Sequence, residues 1–316
     1  MPSILILGAA GFIGSNLTEK FVNSEYKVIA LDGFLDQTGG SKTNIDSITD
    51  QVNIIDQKIE SVANLFQLVK SVDIIIDCMA WTSHLSSMTN PIYDLELNAR
   101  SHLELLSQIS KNPNQKFIYL GSRGQYGNSN TNLIDEDTPM VPADIQGVHK
   151  LAAESYYRIY SNLNNMDVIS LRFPNCFGKY QPITGPDIGL IGGFIKDALA
   201  GKEIEIYGEG RKRNILYVND LVNVILELAK KDFKGFNAYN ISGVEVLLDD
   251  LAEKITSIVG KGSVLKKEIP HNIKVIDIGN AKFSDNKLKK YLGDIPLTRL
   301  DESLSNTVNY FKETYH

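Results

Sequence analysis

The tightest constraint on this chain lies in its first fourteen residues. The apolar run Ile4-Leu5-Ile6-Leu7 passes directly into Gly8-Ala9-Ala10-Gly11-Phe12-Ile13-Gly14, placing three glycines at intervals of three between an expected strand and an expected helix. Gly8 permits a tight turn, Gly11 lets the backbone approach a pyrophosphate with no Cβ in the way, and Gly14 lets the helix pack closely on a sheet. The start of that helix, at Phe12 and Ile13, offers free N–H groups and the positive end of its dipole to phosphates. A second strand is expected to end at Leu31-Asp32. A carboxylate there accepts hydrogen bonds from both adenosine ribose hydroxyls and repels a 2′-phosphate. No arginine follows to compensate, so NAD rather than NADP is expected. Asp56, closing a third strand, is a candidate partner for the adenine amino group, with a plain turn residue as the alternative reading.

Further along, short runs rich in Ile, Leu and Val at 3–7, 27–31, 52–55, 73–78, 116–120 and 167–171 alternate with helical patterns at 12–23, 61–70, 91–110 and 145–162. That alternation predicts an α/β fold, a doubly wound parallel sheet of the Rossmann type covered on both faces. In the third helix Ile92, Leu95, Ala99, Leu103, Leu106 and Ile109 recur at helical spacing, as do Ile145, Val148, Ala152, Tyr156 and Ile159 in the fourth. Past Leu171, Pro174, Gly178, Pro182, Gly185 and Pro186 punctuate a loop-rich stretch. A helix near 188–200, a strand near 204–207 and a helix at 218–229 returning to the first layer are expected after it. Residues 1–174 with about 214–242 are assigned to NAD binding. Residues 175–213 and 243–316 form a smaller, partly interleaved C-terminal substrate-binding domain.

The 316 residues are 43% hydrophobic and 22% charged, which excludes disordered and fibrous classes. The net charge is −6 with no contiguous basic block, which argues against nucleic acid and anionic membrane as partners. The two cysteines, Cys78 and Cys176, form no metal-spaced pair and no disulfide framework; no metal is expected. With no leader pattern and no apolar run near ~18 residues, the expectation is a cytoplasmic protein.

Several further motifs occur in a fixed order: Asn90-Pro91 leading to Asn98, Ser122 four residues before Tyr126-Gly127, and Lys150-Leu151-Ala152-Ala153-Glu154. Leu171-Arg172-Phe173-Pro174-Asn175, Tyr207-Gly208-Glu209-Gly210 and Arg213-Asn214 running to Tyr217-Val218-Asn219-Asp220 follow. Together with the glycine loop they resemble the extended short-chain dehydrogenase/reductases of the NAD-dependent epimerase/dehydratase group, which act on nucleotide sugars. The resemblance covers nearly the whole chain. It implies cofactor contacts at Ala80, Lys150 and Pro174, a nucleotide-diphosphate sugar as substrate, and a homodimer built on the third and fourth helices. It also implies a hydroxyl-holding Ser122, diphosphate contacts from Asn175 and Arg213, and a catalytic Tyr four residues before Lys150.

That tyrosine position is Gln146. An amide has no accessible proton equilibrium and cannot serve as general base. Three readings stay open. Another group moves the proton, His84 first (His149 and Tyr126 behind it), although His84 is equally read as a positioning residue. Alternatively Gln146 orients substrate and Lys150 itself moves protons. In the third, the chain is a non-catalytic NAD/nucleotide-sugar-binding regulator. Arg123 and Gly124 stand where the sugar 4,6-dehydratases carry an Asp-Glu pair, which argues against a dehydratase. Arg123 is either a substrate contact or a solvated loop cation. The leading expectation is a nucleotide-sugar 4-epimerase of carbohydrate biosynthesis. A nucleotide-sugar dehydrogenase or 4-ketoreductase comes second.

Overall fold

Strands that are apolar at every position bury both faces, and the first strand shows it. In the computed structural model, Ile4 and Ile6 enter one core while Leu5 and Leu7 enter another on the opposite side of the sheet. The structure describes all residues except 110–114, 130, 186–187, 276, 278 and 315–316. Residue 110, the end of the expected third helix, and Pro186, named above, therefore lie outside the described residues.

The main sheet has seven strands: β1 (Ser3–Leu7), β2 (Lys27–Asp32), β3 (Asn53–Asp56), β4 (Ile74–Asp77), β5 (Lys116–Leu120), β6 (Asp167–Arg172) and β7 (Phe236–Asn240). Their spatial order is β7-β6-β5-β4-β1-β2-β3, and all pairs are parallel. The order reverses beside β1, between β1 and β4, which opens a crevice at the carboxyl ends of these strands. β7 was not foreseen. Its residues Phe-Asn-Ala-Tyr-Asn are too polar to read as a buried strand, and it lies at one edge of the sheet.

The helix Phe12–Val22 follows β1 as expected, and the helix Val218–Lys230 packs against it. The expected helix at 61–70 begins only at Leu65, because Asn64 turns into the left-handed region at φ 60°. The expected third helix is interrupted. Pro91–Leu95 and Ser101–Ser107 are joined by a π-helical turn, Glu96–Arg100. Inside that turn, Asn98 reaches back to the Trp81 backbone, donating to its carbonyl at 2.8 Å and accepting from its N–H at 2.9 Å. The helix is thus tied to the loop after β4.

The fourth helix, Ile145–Asn164, buries Gln146, Gly147, Lys150, Ala153, Glu154, Tyr157 and Ser161. Its apolar stripe faces outward instead: Val148 is 46% and Ile159 52% exposed, and on the neighbouring helical run Ile92 is 66% exposed. Beyond β6, Asn175–Phe177, Lys212–Tyr217 and Val244–Leu247 form a three-stranded sheet, and Glu203–Tyr207 pairs with Ser263–Lys267. The helix Leu190–Leu199 packs beside them. Among the described residues, no helix is long and apolar enough to cross a membrane.

Candidate active site

The turn after β1 is built on its glycines. Gly8 adopts φ +71°, and a Cβ on Gly14 would lie 1.9 Å from the Gly8 carbonyl oxygen. Gly11 caps the helix Phe12–Val22 with no side-chain hydrogen bond to its first turn, which leaves those N–H groups to a ligand. At the end of β2, Asp32 accepts from the Ala10 N–H at 2.9 Å and from the Phe34 N–H at 2.8 Å. Burial pushes its carboxyl above the usual value against those two bonds.

A cavity of about 420 Å³ opens here. Its wall contains Gly8, Gly11, Phe12, Ile13, Gly14, Asp32, Ala80, His84, Ser122, Arg123, Gln146, Lys150, Pro174 and Asn175. Two expected residues are not in that wall. Asp56 points outward and pairs with Lys42 at 2.7 Å, while Lys58 and Ile59, just past β3, line the cavity instead. Arg213 lies behind the wall, where Asp277 holds its guanidinium at 2.8 Å and that of Arg211 at 2.9 Å.

Lys150 is 4% exposed and donates to the Leu120 carbonyl at 3.0 Å and the Met79 carbonyl at 3.4 Å. Burial lowers its pKa to about 8, with Asp77 opposing the fall. It therefore remains an ammonium at neutral pH. Ser122 Oγ accepts from the Gly124 N–H at 3.0 Å, which leaves its own hydrogen to donate. Gln146 Nε2 donates to the Trp81 carbonyl at 3.3 Å, and Oε1 is buried with no partner. His84 Nδ1 lies 2.7 Å from Asp144 Oδ2. Burial, with help from nearby Arg213, lowers the Arg123 pKa to about 10, against Asp277; the group stays charged, and Nη2 donates to the Ala281 carbonyl at 3.3 Å.

The weaker proton-carrier candidates are occupied elsewhere. Tyr126 is fully buried with its hydroxyl on Asn240, and His149 is held by Asp94 at 2.6 Å. Both cysteine thiols line the cavity, but burial pushes them upward, so neither is a thiolate at neutral pH. Sequence reasoning missed Asp144, although an acidic residue just before the apolar-periodic Ile145 is the ordinary signature of a helix N-cap. It also missed the loop Thr38-Gly39-Gly40 over the cavity, which carries no periodic signal.

A family model for the NAD-dependent epimerase/dehydratase family matches residues 4–242. The chain belongs to that family. A UDP-glucose 4-epimerase of Mycolicibacterium smegmatis is 26% identical, over 98% of both chains. The crystal structure of a Thermotoga maritima UDP-glucose 4-epimerase with UDP-glucose has TM-score 0.88 at 26% identity, covering 99% of this chain and all of the other. A dTDP-glucose 4,6-dehydratase of Bacillus anthracis solved with NAD has TM-score 0.84 at 25% identity, covering all of this chain and 98% of the other.

As a family member the chain uses NAD, and the crevice suits it. The open backbone at Gly11 and the uncapped helix start fit a diphosphate, and the β2 carboxylate fits an unphosphorylated ribose. When bound, NAD supplies a hydride acceptor that can also return the hydride.

Proposed function

We propose that this family member is a UDP-sugar 4-epimerase, removing and returning hydride at a ring carbon with NAD kept in place. The observation that carries the reading is convergence. Ser122, Lys150, Gln146 and His84 all line the one cavity that the glycine loop and Asn175 also line, and Ser122, His84 and Gln146 border the same point at Gly124. Lys150, as a buried cation, stabilises negative charge near the reacting hydroxyl, and Ser122 holds that hydroxyl. Asn175 and Arg123 stand on the substrate side. Arg213, now engaged by Asp277, is assigned a diphosphate oxygen, which requires Asp277 to yield when substrate enters. The residue ranges given above for the two domains are part of this proposal. An epimerase rather than a dehydratase is supported by Arg123 and Gly124, which offer no carboxylate for eliminating water.

The exposed Ile92, Leu95 and Leu103 on the 91–107 run and Val148 and Ile159 on Ile145–Asn164 support a homodimer formed on these helices, and the reading carries a cytoplasmic role in carbohydrate biosynthesis. The test is purification followed by extraction of bound nucleotide and incubation with UDP-glucose. Co-purifying NAD and formation of UDP-galactose without added cofactor support the reading. Turnover that consumes added NAD stoichiometrically would point to a net dehydrogenase instead.

A further inference from the structure

Gln146 leaves the reaction without its usual proton acceptor, and the geometry around it points to a replacement. The Trp81 carbonyl can only accept a hydrogen bond, so it fixes the Gln146 amide with Nε2 toward it and Oε1 away. Gln146 is 3% exposed, lines the cavity, and its Oε1 has no partner. A buried carbonyl left without a partner is unfavourable, and a donor on a bound ligand would relieve it.

His84 lines the same cavity. Its Nδ1 faces Asp144 Oδ2 at 2.7 Å, and the other Asp144 oxygen accepts the Gly147 N–H at 2.7 Å. Burial opposes ionisation of Asp144, but the hydrogen bonds from His84 and Gly147 win and hold its carboxyl below the usual value. An ionised carboxylate only accepts, so the proton of a neutral His84 belongs on Nδ1, and Nε2 carries a lone pair. Asp144 also caps the helix that carries Gln146 and Lys150, which locks the ring to the same frame.

Gly124 shows where these groups meet. A Cβ there would lie 3.2 Å from Ser122 Oγ, 3.4 Å from His84 Cε1 and 3.9 Å from Gln146 Oε1. Three side chains from three separate elements thus border one point, on a residue that carries no side chain of its own. Resting on the hydride-transfer reading above, we propose that His84 Nε2 is the general base and acid, with Asp144 as its positioning residue. Gln146 Oε1 is a specificity contact that accepts from a ring hydroxyl next to the reacting one.

As the reacting O–H bond breaks, its proton goes to Nε2 and its electron pair becomes the second bond of C=O. The C–H bond of the same carbon would give its hydrogen and electron pair as hydride to bound NAD, so that the sugar would be oxidised and NAD reduced. The imidazolium that results is stabilised by Asp144. Return of hydride takes the same proton back from Nε2. Lys150, bonded to two carbonyls and charged at neutral pH, supplies a cation and not a base.

The test uses the NAD-loaded protein with UDP-glucose and UDP-galactose. His84→Ala should lower kcat by ~10²–10⁴ while KM stays within a few fold, and added imidazole should restore part of kcat. Asp144→Asn keeps a good helix cap, so it should leave the thermal midpoint and sugar binding intact while lowering kcat. An unchanged kcat in His84→Ala, or a loss that imidazole does not rescue, overturns the proposal. A second readout is independent of turnover. Histidine 15N NMR should show His84 protonated at Nδ1 in the native chain, and a proton resident on Nε2 overturns the dyad. If the native chain turns over neither sugar, the epimerase reading fails, and the NMR result alone decides the dyad.

Discussion

A methyl group on residue 14 would sit 1.9 Å from the Gly8 carbonyl oxygen, so Gly14→Ala must push the helix Phe12–Val22 off β1. That shift carries the helix start away from the diphosphate. The variant should lose NAD on gel filtration and show a lower thermal midpoint. Lys150 gives a second expectation, with its sign fixed by burial. Burial disfavours its ammonium relative to water, which lowers its pKa from 10.5 to about 8. A role that needs the cation is lost as pH rises through about 8, so kcat/KM should fall there, and in Lys150→Arg that alkaline limb should move to higher pH. Stability runs the other way. Between about 8 and 10.5 the unfolded chain binds the extra proton, so the contribution of this residue to stability rises with pH across that window. Gly14 was legible from its spacing in the glycine loop, whereas Lys150 was legible only through the resemblance of the surrounding motifs to the family. For Asp56 the end of a strand can be read from the pattern, but which of the next few side chains turns inward cannot, and its carboxylate pairs with Lys42 outside the cavity lining.

Between elements, the pair Glu154–Arg172 explains why two of the sequence landmarks travel together. Both side chains are at most 1% exposed, and Arg172 grips both carboxylate oxygens, at 2.6 and 2.9 Å. Gln125 and Ser170 add bonds to the same carboxylate, tying the helix Ile145–Asn164 to β6 and to the turn after β5. The Arg172 side holds the Glu154 carboxyl down against the burial that raises it. Glu154→Gln leaves a buried guanidinium uncompensated, and urea unfolding should register a loss of about 3–5 kcal/mol. At this scale the sequence carried most of the sheet, since continuous Ile/Leu/Val runs have few other solutions. It did not carry the π turn at Glu96–Arg100. That turn depends on Asn98 bonding a backbone seventeen residues away in the chain, an interaction with no local periodicity.

Over the whole molecule, helical periodicity revealed two apolar stripes but could not say what they face. On Ile145–Asn164 the buried face is the polar and small-residue one that builds the site, while the apolar stripe lies outside with Val148 and Ile159. Ile92 and Leu95 on the neighbouring run are exposed as well. Covering these stripes with a second copy removes a large apolar surface from water. On the proposed homodimer, the native chain should sediment as a dimer and the double variant Ile92→Asp/Ile159→Asp as a monomer. The central claim is tested most directly by giving the protein, with its retained NAD, a mixture of unlabelled UDP-glucose and UDP-glucose deuterated at C4. The account predicts UDP-galactose in which each deuterium stays on the sugar molecule that carried it, with transient reduced-nicotinamide absorbance. UDP-galactose formed with the label washed out to solvent, or no reduced nicotinamide with any nucleotide sugar, would contradict it.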